Sequence, residues 1–168
     1  MKNNIARASL VVCAIAALAA SPLANAAAGG VDTGRLFVGA GLSQNDVSGS
    51  DDGTGYQFFG GYEFGQVAQN VALDLEIGYM DTGDMDVRVG PITADARAKG
   101  LWATGVGRLQ FNPQFELLGR AGLDFGDDDG LMVGIGAGFN VNKQTQLRLE
   151  FVERDEVSSL QFNFVYRP

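Results

Sequence analysis

Leu73-Asp74-Leu75-Glu76-Ile77-Gly78-Tyr79 alternates without a break, so its large apolar side chains fall on one face and its two carboxylates on the other. That is the two-residue period of a β-strand with unlike faces, and a helix cannot present it. The same period returns upstream in residues 36–42 and 56–64, and downstream in 100–111, 115–125, 131–141, 145–153 and 160–166. Eight such segments joined by hairpin-length connections predict an all-β chain, an eight-stranded up-and-down antiparallel barrel whose closure leaves no free edge.

The two faces differ in chemistry. One gathers Leu36, Val38, Tyr56, Phe58, Leu75, Ile77, Leu117, Phe151, Phe162 and Phe164 and holds no charge. The other holds Glu63, Asp74, Glu76, Arg108, Glu116, Arg120, Arg148 and Glu150 among glycines and a few large residues such as Phe37, Phe59, Trp102 and Met132. Apolar-out describes a transmembrane barrel; apolar-in describes a soluble periplasmic or secreted carrier of lipocalin type, which stands as the alternative. Glycine placement favours the transmembrane barrel. Gly39, Gly41, Gly61, Gly78, Gly122, Gly134, Gly136 and Gly138 all lie on the polar face. A solvated face has no reason to be bare at about 0.5–1 kcal/mol per glycine. A narrow lumen has one, because small residues must sit beside large ones there. The charged mid-strand residues are acids and arginines, never lysine, which suits buried ion pairs. The eight charged residues are therefore expected to form an interior ion network.

The chain has 168 residues, a net charge of −8, one cysteine and no histidine. Histidine-dependent catalysis and histidine-ligated zinc are excluded, and an acidic chain is no partner for nucleic acid. Lys2 and Arg7, an apolar run over residues 8–20 and the Ala24-Asn25-Ala26 triplet form a secretory signal, so residues 1–26 are expected to be removed and 27–168 to form the barrel. Gly134-Ile135-Gly136-Ala137-Gly138 lacks the dinucleotide-loop spacing and belongs to a strand. No cofactor is implied.

Connections after the second, fourth and sixth strands, at 65–70, 112–114 and 142–144, are short or neutral. Those after the odd strands carry Asp46, Asp51 and Asp52; Asp81, Asp84, Asp86 and Asp95; Asp127, Asp128 and Asp129; and Glu153, Asp155 and Glu156. Alternate connections share one end of an up-and-down barrel, so the acids gather at one rim. Asp81, Asp84, Asp86, Asp127, Asp128 and Asp129 are hard oxygen donors, weak candidates for calcium or magnesium; a solvated rim is the plainer reading. Across the Asn112-Pro113-Gln114 turn, pairing Phe111 with Phe115 sets Leu109 opposite Leu117. It also gathers Ala103, Gly105, Gly107, Gly119 and Ala121 into a small-residue patch on the apolar face, open to a lipid chain or a second protein.

With its signal sequence, eight alternating segments, periodic glycines and closing Phe162-Asn163-Phe164-Val165-Tyr166, the chain resembles the small eight-stranded outer-membrane barrels of Gram-negative bacteria, the family of the OmpA transmembrane domain and OmpX. It differs in that Arg167-Pro168 follow the last aromatic residue. The resemblance implies residence in the outer membrane, with outer-membrane lipid and lipopolysaccharide as partners and divalent cations bridging the acidic rim to lipid phosphates. Enzymes of that family depend on histidine, so a non-enzymatic role in envelope integrity or surface interactions is expected, with an interior filled by side chains rather than a pore.

Overall fold

A computed structural model describes residues 32–46, 53–89, 92–127, 129–155 and 157–168. Residues 1–26 lie outside them. After a single 3-10 turn, Thr33–Arg35, the strands are β1 (Leu36–Asp46), β2 (Gly53–Ala68), β3 (Val71–Asp81), β4 (Met85–Val89), β5 (Ile92–Ala96), β6 (Lys99–Gln110), β7 (Phe115–Gly126), β8 (Gly130–Asn140), β9 (Thr145–Glu153) and β10 (Ser158–Tyr166). Eight of them close into an antiparallel barrel in the order β1-β10-β9-β8-β7-β6-β3-β2. Every barrel strand is paired on both sides, which satisfies its backbone without water.

Alternation sorts the side chains as the sequence dictates. Phe58, Leu75, Ile135, Leu149 and Phe162 stand exposed on the outer wall, while Glu76, Arg148, Gln146 and Trp102 are fully buried inside. A soluble carrier has the opposite arrangement, and nothing among the described residues favours the lipocalin-like alternative, since the apolar side chains stand on the outside. β6 has 12 residues; at about 3.3 Å each and a tilt of about 40° it rises about 30 Å, more than the roughly 25 Å apolar band of such barrels.

The inward glycines seat large neighbours. Phe37 pairs with Gly61 and Phe59 with Gly39, Trp102 with Gly78, and Arg120 with Gly134. A Cβ on Gly78 would lie 2.5 Å from the Trp102 ring. Each bulky group thus lies over the bare backbone of the adjacent strand, which is how a narrow barrel accommodates both.

Two features depart from the sequence reading. Residues 65–68 are strand rather than connection: β2 continues to Ala68 through register shifts between Glu63 and Gly65 and between Gln66 and Ala68. Gly65 adopts φ 85° there and Asn70 φ 59° in the turn, conformations suited to these two residue types. The acidic connection between β3 and β6 contains a hairpin, β4 with β5, that pairs only with itself and forms a separate sheet.

Candidate functional site

The lumen is the chemically distinctive part of the molecule, and it is layered. At the short-turn end, Arg108 of β6 reaches three carboxylates: Asp74 and Glu63 at 2.8 Å each and Glu116 at 3.4 Å. Glu116 also accepts hydrogen bonds from Asn140 and Gln146. This layer floors an open recess of about 460 Å³ whose walls include Gln110, Gln114, Lys143 and Arg167.

One layer deeper, Arg148 of β9 donates to Glu76 at 2.6 Å and to Gln146 at 2.7 Å. Arg120 of β7 joins Glu76 at 3.2 Å and Glu150 at 2.7 Å. Asn163 donates to the other Glu150 oxygen at 2.9 Å. Asp74 lies 3.8 Å from Arg148 and so connects the two layers. The structure therefore brings Glu63, Asp74, Glu76, Arg108, Glu116, Arg120, Arg148 and Glu150 into one continuous set of contacts. Water is nearly excluded: Glu76 and Arg148 are 0 % exposed. Charges this deep persist only because each carboxylate meets a guanidinium, whose planar fork can serve two acids at once.

Phe37, Phe59, Met80, Trp102, Met132, Val152 and Val165 form one apolar cluster that runs from Phe37, against the Arg148 guanidinium, to Trp102 and Met132 beyond the ions. Trp102 contacts Phe59 with ring centroids 5.7 Å apart and lies under the Arg120 guanidinium at 5.5 Å. Toward the long connections the lining becomes polar again. Gln57 donates to Gln161 and Asn163, Ser159 to Asn45, and Arg154 pairs with Asp124 at 2.8 Å.

Sequence reasoning missed Arg154 and Arg167. Arg154 lies just past β9 in a stretch that reads as loop. Arg167 reads as tail, yet it keeps the inward parity of Asn163 and Val165, a signal that could have found it.

At the rim, Arg97 holds Asp81 by two hydrogen bonds of 2.8 and 2.7 Å and reaches Asp84 at 3.4 Å. Hydrogen bonding to Asp81 pushes the Arg97 guanidinium above its ordinary pKa. Asp81 is thereby engaged by an arginine, which competes with any cation for its oxygens. Asp127 and Asp129 are exposed, while Asp128 lies outside the described residues, as does the side chain of Asp86. Among the described residues no three acids converge on a point that could hold a metal.

On the outer wall Leu109 pairs with Leu117, Gly107 with Gly119, Gly105 with Ala121 and Ala103 with Leu123. Ala103, Gly105, Gly107, Gly119 and Ala121 thus form a shallow trough flanked by Leu75 and Ile77 of β3 and by Val133 and Ile135 of β8. Among the described residues no aromatic ring covers the glycines: a Cβ on Gly119 would meet nothing within 4 Å.

A family model described as outer membrane protein beta-barrel domain matches residues 10–167. No curated protein sequence matches the chain. Among solved structures it is similar to a de novo designed transmembrane β-barrel, with 17 % identity over 79 % of this chain and 94 % of that one and a TM-score of 0.56. It is also similar to the outer membrane protein Ail of Yersinia pestis in a phospholipid nanodisc, with 16 % identity over 79 % and 98 % of the two chains and a TM-score of 0.52. At such identities the likeness bears on the fold alone.

Proposed function

The chain belongs to the outer membrane protein β-barrel domain family, so its place is the outer membrane of a Gram-negative cell, and from that premise we propose a non-enzymatic barrel that supports envelope integrity. Residues 1–26 serve as a secretory signal, and the apolar belt contacts outer-membrane lipid and lipopolysaccharide. The observation that carries the reading is the filled lumen. From the recess at the short turns, which face the periplasm in such barrels, a solute meets first the Arg108 layer, then the Arg148–Glu76–Arg120–Glu150 layer, then the cluster around Trp102. Eight strands leave an interior that side chains can fill, and here they do. Catalysis has little to work with: the chain lacks histidine, and the buried lumenal carboxylates are each held by an arginine. A second reading, surface interaction, is favoured by the β4–β5 hairpin, which stands apart from the barrel sheet at the long-connection end.

Cell fractionation with gel migration of unheated and heated samples tests membrane residence. The protein should pellet with the outer membrane and change mobility on heating; recovery in the soluble periplasm would refute it. A strain lacking the chain should admit bulky dyes and detergents more readily and regain its barrier on complementation. An unaltered barrier would leave surface interaction as the role.

A further inference from the structure

The barrel closes where β1 meets β10, and that ladder is shorter than its neighbour. β1 pairs with β2 from Leu36 onward, but with β10 only from Val38, whose partner is Tyr166. Leu36 and Phe37 therefore have a partner on one side only, at the periplasmic end of the seam. Arg167, the next residue after β10, occupies this gap from within. Its backbone N–H donates to the Gln144 carbonyl at 2.8 Å, which fixes it to the β9 side. Its guanidinium lies over the Phe37 ring at 5.1 Å, 3.5 Å from Glu63 and 3.7 Å from Asp74, and donates to Gln146 at 3.4 Å. One side chain thus joins β9 and β10 to β1, β2 and β3 at the level where the backbone ladder has stopped.

We propose that Arg167 is a seam latch: it holds the periplasmic end of the β1–β10 junction closed from inside the lumen. The contacts are charge-assisted and mostly shielded from water, so they hold more firmly than a surface pair. The opposing groups, Glu63 and Asp74, are already shared with Arg108. Loss of Arg167 should therefore loosen the seam without dismantling the ion layer.

Amide hydrogen exchange on the whole mature protein in micelles reads this directly. Arg167→Gln should accelerate exchange of residues 38–41 and 163–166 by about tenfold while residues 103–107 and 119–123 keep their rates. Val38 and Tyr166 are directly paired and within reach of a disulfide, so adding Val38→Cys and Tyr166→Cys, oxidised, should restore slow exchange at the seam. Unchanged seam amides, an equal rise in every strand, or failure of the disulfide to restore protection would overturn the proposal. If Arg167→Gln does not fold, Arg167→Lys, which keeps the charge and loses the fork, should give a smaller rise confined to the same amides; no local rise there would equally overturn it.

Discussion

Replacing Arg148 by methionine keeps most of its volume and removes its charge, and the surroundings set the loss of stability. Arg148 is 0 % exposed and contacts Glu76 at 2.6 Å and Asp74 at 3.8 Å, both also shielded. Removing one partner of a buried pair costs roughly 3–5 kcal/mol because the other charge is stranded. Glu76 keeps Arg120 at 3.2 Å, so about 4 kcal/mol is expected rather than the extreme. Arg108 opens on the periplasmic recess, and its partner Glu63 is 32 % exposed, so water offsets part of the loss and Arg108→Met should cost about 3 kcal/mol. Arg97, 44 % exposed at the rim, is screened by water, so its replacement by methionine should cost far less than either lumenal arginine. With a urea slope of about 2 kcal/mol per molar, the midpoints fall by about 2 M for Arg148 and about 1.5 M for Arg108, and Arg97 should shift its midpoint least. Trp102 is the single tryptophan and is fully buried, so its emission from protein in phospholipid vesicles reports the transition. Pairing Arg148→Met with Glu76→Gln should lose less than the sum of the two singles by at least about 1 kcal/mol, the sign of direct coupling. Equal shifts at all three arginines, or additivity in the double variant, would refute the reasoning that burial depth sets the energy.

Glycines should behave oppositely on the two faces. Gly78→Ala places a methyl 2.5 Å from the Trp102 ring and should lower the urea midpoint markedly, whereas Gly119→Leu has open space and should leave it unchanged or higher. Gly107→Leu with Gly119→Leu should abolish any dimer captured by crosslinking in detergent while the heat-modifiable band persists; loss of that band instead would assign these glycines to sheet curvature. Millimolar calcium should leave the thermal midpoint in detergent unmoved, because Arg97 occupies Asp81, and a rise of several degrees would restore Asp84, Asp127 and Asp129 as cation ligands. Mass spectrometry of protein from the envelope should find a chain beginning at Ala27, and an intact Met1 would remove the signal from the account.

Most of the barrel was legible because its determinants are local. A closed sheet with unlike faces writes its period into each strand, and 73–79 declares it within seven residues. The β6–β7 register is set by the turn at Asn112, whose side chain accepts from the Gln114 and Phe115 backbone N–H groups. Two of the features that escaped depend on partners distant in sequence. Arg167 owes its position to Glu63 and Asp74, about a hundred residues away, and Arg154 to Asp124, 30 residues away. The β4–β5 hairpin was hidden by its acids: Asp86 and Asp95 are register partners in the ladder, and reading the segment for charge hid the alternation of Met85, Val87 and Val89 with Ile92, Ala94 and Ala96 in the sequence. The β2 extension was hidden by Gly65, which looks like a turn residue and serves as a bulge. Glycine placement proved more informative than hydrophobicity, because a lumen residue as large as Trp102 requires a bare neighbour on the next strand.

The central claim, a membrane barrel whose lumen is closed by its own side chains, is tested most directly by single-molecule conductance in planar lipid bilayers. The purified protein, inserted and shown to be folded by its heat-dependent migration, should hold the bilayer at baseline current across the applied voltage range, because Arg148, Glu76 and Trp102 fill the lumen and are themselves fully buried. Steady ohmic steps that scale with the number of inserted barrels would contradict a filled interior and make the molecule a channel.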